Sequence, residues 1–202
     1  MYIIYIRLYM TGASILPVTV HNGQLLFLFG KENPKENSAK GFSDFGGGVE
    51  SGESVYETAL REGGEELTGF LGDSKNIRNI IKKNGGHFKI SHNDYHVHIF
   101  FIPWDPNLVT YFNLNHQFLW GRMDRNLLNR TKLFEKIEIQ WFHVRSLKKR
   151  IREFRSFYQD IIIEILKQEK DIFKFIRSKR DKNNTKKKLH GKKNTLKIKY
   201  KT

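Results

Sequence analysis

The sequence predicts a mixed α/β (α+β) fold in one domain. Three observations point there: short apolar runs of strand length, segments with apolar residues at helical spacing, and no internal repeat of the kind a solenoid needs. At 202 residues the chain fits one domain and is long enough to bury a core without disulfides or a structural metal. It has no cysteine. That excludes a disulfide framework and a thiolate zinc site, and it suits a reducing, intracellular compartment, cytoplasmic or nuclear. No apolar stretch approaches the roughly 20 residues that cross a bilayer, so no membrane is expected as a partner.

The elements follow in order. Residues 1–12 read as an N-terminal extension: Met1–Met10 is apolar but carries Arg7 and no small-residue cleavage site, which argues against a secretory signal. It is then an edge strand, or a leader ahead of Met10. Ile15–Val20 and Leu25–Phe29 are two apolar runs joined by Asn22-Gly23, a hairpin turn. Lys31–Lys40 is a polar loop, and Phe42–Phe45 leads into Gly46, Gly47 and Gly48. Ser54–Leu67 reads as a helix that Ser51 or Ser54 caps, and Ser74–Lys83 as another, closed by Asn84-Gly85-Gly86. Tyr95–Ile102 reads as a strand ended by Pro103, and Glu138–Val144 as a late strand. Ser146–Ile176 reads as one long helix, because Leu147, Ile151, Phe154, Tyr158, Ile161, Ile162, Ile165 and Leu166 recur at three- and four-residue steps.

The net charge of +15 is unevenly placed. Residues 177–202 hold twelve Lys/Arg against one acid, Asp181, and so carry +11. Such a Lys/Asn-rich run buries too little apolar surface to offset its ordering entropy, so it reads as a disordered tail behind a domain of residues 13–176. Two readings stand for it: a non-specific hold on nucleic-acid phosphates, or compositional drift in a chain rich in Lys, Asn, Ile, Phe and Tyr.

The informative residues are Gly47, Glu53, Arg61, Glu62, Glu65 and Glu66. Glu62, Glu65 and Glu66 stand at i, i+3 and i+4, so one helix face presents three carboxylates within a turn. Like charges at that spacing repel by a few tenths of a kcal/mol per pair. Gly63 and Gly64 inside the same helix each cost about 1 kcal/mol relative to alanine. A helix selected for stability alone would not look like this. A hard divalent cation, Mg²⁺ or Mn²⁺, resolves the repulsion because it takes oxygen ligands. A solvated acidic helix face is the plainer alternative.

Read from Gly47, the segment is Gly-x5-Glu53-x7-Arg61-Glu62-x2-Glu65-Glu66, set behind Ser43-Asp44-Phe45-Gly46. It closely resembles the Nudix box of hydrolases that cut nucleoside diphosphates linked to another group, with all six specified positions in register. Two departures stand out. Gly63 occupies a place where the family has a bulky apolar residue, and one extra residue precedes Gly69-Phe70 after the glutamate pair. The missing side chain at 63 is expected to remove a packing contact behind the helix.

The resemblance implies an α/β/α sandwich with a mixed sheet between helices. It implies metal binding by Glu62, Glu65, Glu66 and the Gly46 carbonyl, and a supporting ion pair between Glu53 and Arg61. The family's general base often lies outside the box; Glu135 and Glu138, before or entering the late strand, are the acids to test. The alternatives are an exposed loop acid for Glu135 and a strand-edge acid for Glu138. Implied substrates range over nucleoside triphosphates, dinucleoside polyphosphates, sugar nucleotides, diphosphoinositol phosphates and mRNA caps.

Other features are weaker. His96 and His98 share one strand face, near His87 and His92, and read either as a substrate-facing or metal-binding pair or as outer-face polar residues. Residues 103–134 carry Trp104, Tyr111, Phe112, Phe118 and Trp120 with Arg122, Arg125 and Arg130, either a base-stacking surface or a small packed subcore. Arg145 and Lys148 begin a basic cluster with Lys149, Arg150, Arg152 and Arg155, either a patch for substrate phosphates or the solvated side of a helix. Charge and aromatics together favour a polyanionic substrate, capped RNA first. The rivals are a hydrolase of small nucleotides, sugar nucleotides or diphosphoinositol phosphates, and a non-catalytic RNA-binding module. The pattern sets no oligomeric state.

Overall fold

The computed structural model describes residues 11–33, 40–124, 126–127 and 134–178. Most of the expected N-terminal extension and basic tail, together with Arg125 and Arg130, therefore lies outside the described residues. The strands are β1 (Gly12–His21), β2 (Gln24–Glu32), β3 (Phe42–Ser43), β4 (Phe45–Gly48), β5 (His87–His92), β6 (Tyr95–Phe101) and β7 (Lys136–His143). They form one mixed sheet in the order β3-β2-β1-β6-β5, with β4 on β1 and β7 on β2. β1 runs parallel to β6 from Gly12 opposite Tyr95 to Val18 opposite Phe101; the other pairings are antiparallel. The hairpin turn is as the sequence predicts. Asn22 and Gly23 both adopt positive φ, 49° and 74°, the pair of left-handed residues a two-residue turn between twisted strands requires.

Alternation along β1 splits the core in two. Leu16, Val18 and Val20 face one layer, and Ala13 and Ile15 the other. The second layer is α1 (Val55–Glu66), α2 (Ser74–Lys83) and α3 (Asn107–Arg122), which bury Ala59, Leu60, Ile77, Ile81, Leu108 and Phe112. The first is α4 (Val144–Leu147), α5 (Tyr158–Lys167) and a helical stretch over 169–178, which bury Leu147, Tyr158, Ile161, Ile165, Ile172 and Ile176. Among the described residues no helix is long and apolar enough to cross a membrane.

The long helix expected over Ser146–Ile176 is broken. After α4 come a 3-10 turn at Ile151–Glu153 and an extended Phe154, which bridges to Phe42 while the Arg155 N–H donates to the Phe42 carbonyl. Sheet contacts there replace helical hydrogen bonds, and local periodicity cannot register that. Nor is the aromatic stretch a separate subcore. α3 buries Leu108, Phe112 and His116 and leaves Tyr111, Leu114 and Phe118 more than half exposed.

Candidate active site

Ser54 starts α1 with a reciprocal cap: its hydroxyl accepts from the Glu57 N–H, and the Glu57 carboxylate accepts from the Ser54 N–H. The cap sets the helix register, so Arg61, Glu62, Glu65 and Glu66 fall in its last two turns. β4 brings Gly46 and Gly47 alongside, through pairing with Ser14 and Ala13 of β1. The Glu62 carboxyl fills the space a Cβ on Gly47 would take, so a side chain there would displace it.

Arg61 is the hub of the outer half of the site. Its Nε donates to Glu53 Oε1 at 2.8 Å and its Nη2 to Glu53 Oε2 at 3.1 Å. Nη1 donates to Glu62 at 2.8 Å and Glu65 at 3.4 Å. The forked guanidinium thus joins both sides of Glu53 and two helix acids at once. Hydrogen bonds from Arg61, then Thr58, hold the Glu53 carboxyl down at about 2. Glu53, then Glu62, raise Arg61 above its ordinary value.

The inner half is buried. Glu66 Oε2 accepts the Gly46 N–H at 2.8 Å, and Oε1 lies 3.3 Å from Nζ of the fully buried Lys136. Lys136 also donates to Ser43 Oγ at 2.8 Å and to Glu32 Oε1, the same oxygen that Arg155 holds at 2.7 Å. Burial pushes the Glu66 carboxyl up to about 8, against the pull of Lys136. Burial works against the Lys136 ammonium too, but Glu66 and Glu32 outweigh it and raise its pKa. Nearby, buried Asp44 accepts from Ser14 and Tyr95 and is pushed up to about 6, mainly by desolvation.

The site fits a divalent cation by the chemistry of its donors: carboxylates and a glycine-loop carbonyl, all hard oxygen, against a loop with no side chain in the way. Among the described residues, no three acids or histidines stand together as a ready metal cluster. Glu62 and Glu65 turn to Arg61 while Glu66 turns to Gly46 and Lys136. A cation held there would compete with Arg61 and Lys136 for the same oxygens.

A family model described as the NUDIX domain matches residues 8–161 of this sequence. The chain belongs to the Nudix family. As a member it is a pyrophosphohydrolase, and Nudix hydrolases generally need divalent metal ions. No curated protein matches it. Among solved structures it is similar to a Caenorhabditis elegans Ap4A hydrolase in a binary complex, at 14% identity and TM-score 0.38, over 69% of this chain and 84% of that one. It is also similar to the Mycobacterium smegmatis Nudix hydrolase RenU, at 10% and 0.37, over 69% and 74%. A third is the NUDIX domain of Shewanella oneidensis NrtR complexed with ADP ribose, at 12% and 0.36, over 79% and 85%.

Gly63 does not leave the gap that the family pattern suggests. A Cβ there would collide with Ile15 on β1, so the sheet supplies the apolar group the helix lacks. Outside the box, the predicted residues are distributed unevenly. The negative charge of Glu135 is among the lesser causes that raise Glu66. Glu138 pairs with Lys31 instead, at 3.4 Å. His96 and His98 do share a face, but it is the one α1 covers. His98 is 3% exposed beneath Tyr56 and His87, with ring centroids 5.2 and 4.6 Å away, so the outer-face expectation fails for it. Burial, then His87, Lys89 and His96, lowers its pKa to about 3, so the ring is neutral. Arg145, on α4, and Lys148, at its C-terminus, are exposed, while Val144 and Leu147 of that helix pack on the sheet face opposite α1. Neither Arg145 nor Lys148 joins the acids. Lys136 and Glu32 gave no sequence signal, and Arg155 read only as one of a basic cluster, because their partners lie 70 to 123 residues away.

Proposed function

We propose that this Nudix protein uses Mg²⁺ or Mn²⁺ to hydrolyse a diphosphate linkage in a nucleotide-derived substrate, the 5′ cap of RNA first among them. The last turn of α1 carries the reading: three carboxylates against a loop with no side chain, one of them buried at the Gly46 N–H. Glu62, Glu65, Glu66 and the Gly46 carbonyl would hold the cations. Bound there, divalent ions lower the pKa of a coordinated water and stabilise charge on the attacking and leaving oxygens. Arg61, locked by Glu53, orients Glu62 and Glu65. Glu135 is the group assigned to take the proton from the attacking water. His96, partly exposed and hydrogen-bonded to Ser91 at 2.8 Å, is the histidine assigned to the substrate side. Arg145, Lys148 and the basic segment 177–202 would screen the phosphates of a longer RNA without reading its sequence.

The test is a parallel incubation of the full chain, with Mg²⁺ or Mn²⁺, against capped RNA, nucleoside triphosphates and a sugar nucleotide, with the released product identified. Cap cleavage that persists but loses affinity when residues 179–202 are deleted is the expected result. Cleavage of free nucleotides alone would overturn the RNA preference. No turnover of any substrate would overturn the catalytic reading.

A further inference from the structure

β7 carries one residue more than its partner strand can match. Against β2 it pairs Ile139 with Gly30 and Glu138 with Lys31, then skips Ile137 and sets Lys136 opposite Glu32. Side chains alternate between the faces of a strand, so without that shift Lys136 would share a face with Phe142, away from α1. A bulge of one residue turns it to the α1 side, and bulges beside active sites re-aim side chains in this way. Its stem then crosses Gly30, where an added Cβ would meet Lys136 Cγ and Cδ at 2.9 Å. We infer that Lys136 is a positioning residue for the hydrolysis, fixing the Glu66 carboxylate as a cation ligand. The inference rests on the metal site proposed above.

An ammonium has three protons to donate and no acceptor. Lys136 meets three oxygens: Glu32 Oε1, Ser43 Oγ at 2.8 Å and Glu66 Oε1 at 3.3 Å. The first two anchor it. Arg155 at 2.7 Å and Ser43 at 3.0 Å also donate to Glu32 Oε1, and Ser43 donates to the Asp44 carbonyl at 3.1 Å, just ahead of the glycine loop. The contact with Glu66 is looser than the about 2.7–2.9 Å of a tight charge-assisted bond. It steers the carboxylate without clamping it, and a cation that takes Oε1 leaves the ammonium with Glu32 and Ser43. With Oε2 on the Gly46 N–H at 2.8 Å, Glu66 is guided at both oxygens. A carboxylate has roughly four acceptor positions, so lone pairs remain for a cation.

An ion pair between neighbouring strands is the plainer use of Lys136. It explains little here, because a buried pair rarely repays its desolvation. The register shift, the missing side chain at Gly30 and the reach to Glu66 belong together if a positive charge is needed behind the acid. Ligating carboxylates depend on such a partner for their orientation.

The test reads Mn²⁺ affinity by calorimetry and stability by thermal unfolding, both on the full chain. Lys136→Met keeps the stem but strands two buried acids, so it should melt lower than the wild type. Lys136→Met with Glu32→Gln removes one charge of each sign and leaves the net charge unchanged. This double variant should recover much of the lost melting temperature, yet bind Mn²⁺ at least roughly tenfold more weakly, the lower end of the cost of removing a group that orients a metal ligand. Recovery of both would make Lys136 a structural counter-ion and overturn the inference. Tighter binding would overturn it too, since that is the mark of a mere competitor for Oε1. Glu66→Gln, titrated alongside, keeps the two readings apart. If it binds like the wild type, the metal site itself is wrong; if it binds weakly while the double variant binds like the wild type, only the role of Lys136 falls.

Discussion

The two faces of the sheet are built to different ends. The face under α4 and α5 is a largely apolar layer in which Phe29 meets Phe142, Phe154 and Tyr158 edge-on at 5.5, 4.9 and 6.0 Å. The face under α1 buries groups that work against folding: Glu66, Lys136 and a neutral His98, beside a helix that carries Gly63 and Gly64 in its last turn. A buried ion pair rarely repays its desolvation, so the α1 face is a poor source of stability and a good place for charge that awaits a ligand. The difference teaches that this fold separates what holds it from what it does with substrate.

The largest effect should come from the apolar face. Phe29→Ala is expected to cost about 3–5 kcal/mol in denaturant unfolding while leaving Mn²⁺ affinity unchanged, as a separation of the faces demands. A parallel loss of metal binding would join them. On the α1 face, Arg61→Lys keeps the charge but loses the fork that spans Glu53 and two helix acids. Turnover should fall about 10–100-fold with little change in unfolding midpoint, the usual cost of removing a group that orients metal ligands.

His98 sharpens the comparison through pH. Its folded pKa, about 3, lies below the ordinary 6.5, so the unfolded chain binds the extra proton between those values. Stability should therefore fall as pH drops below 6.5. His98→Phe removes that slope and should gain roughly 1–2 kcal/mol on the wild type between pH 7.5 and pH 5, read from melting curves. Parallel curves would show that the ring is not held neutral. The smallest effect is at Gly63. Alanine gains about 1 kcal/mol in helix propensity but meets Ile15, and overpacking costs about 1–3 kcal/mol, so a net loss near 1 kcal/mol is expected. Adding Ile15→Val should return part of it; no recovery would place the strain elsewhere.

Much of this was legible in the sequence because the signals are local. The Asn22-Gly23 turn, the Ser54 cap and the glycine–glutamate spacing each lie within one element or one loop and its helix, so α1 and its acids could be placed without tertiary information. What escaped is set by distance. Lys136 meets Glu32 on the neighbouring strand and Glu66 on α1, Phe154 is pulled out of a helical pattern by Phe42, and Gly63 makes sense only once Ile15 is seen behind it. α3 escaped for another reason: its exposed aromatics blur the apolar stripe by which a surface helix is recognised.

The measurement that tests the central claim most directly is a calorimetric titration of Mn²⁺ into the wild type and Glu66→Gln, each first checked for the same circular dichroism. Glutamine keeps the volume and removes the anionic ligand. The account predicts saturable binding by the wild type and at least roughly tenfold weaker binding by the variant, within the 10–100-fold range for disturbed metal sites. Equal binding by both, or heat from neither, would contradict it.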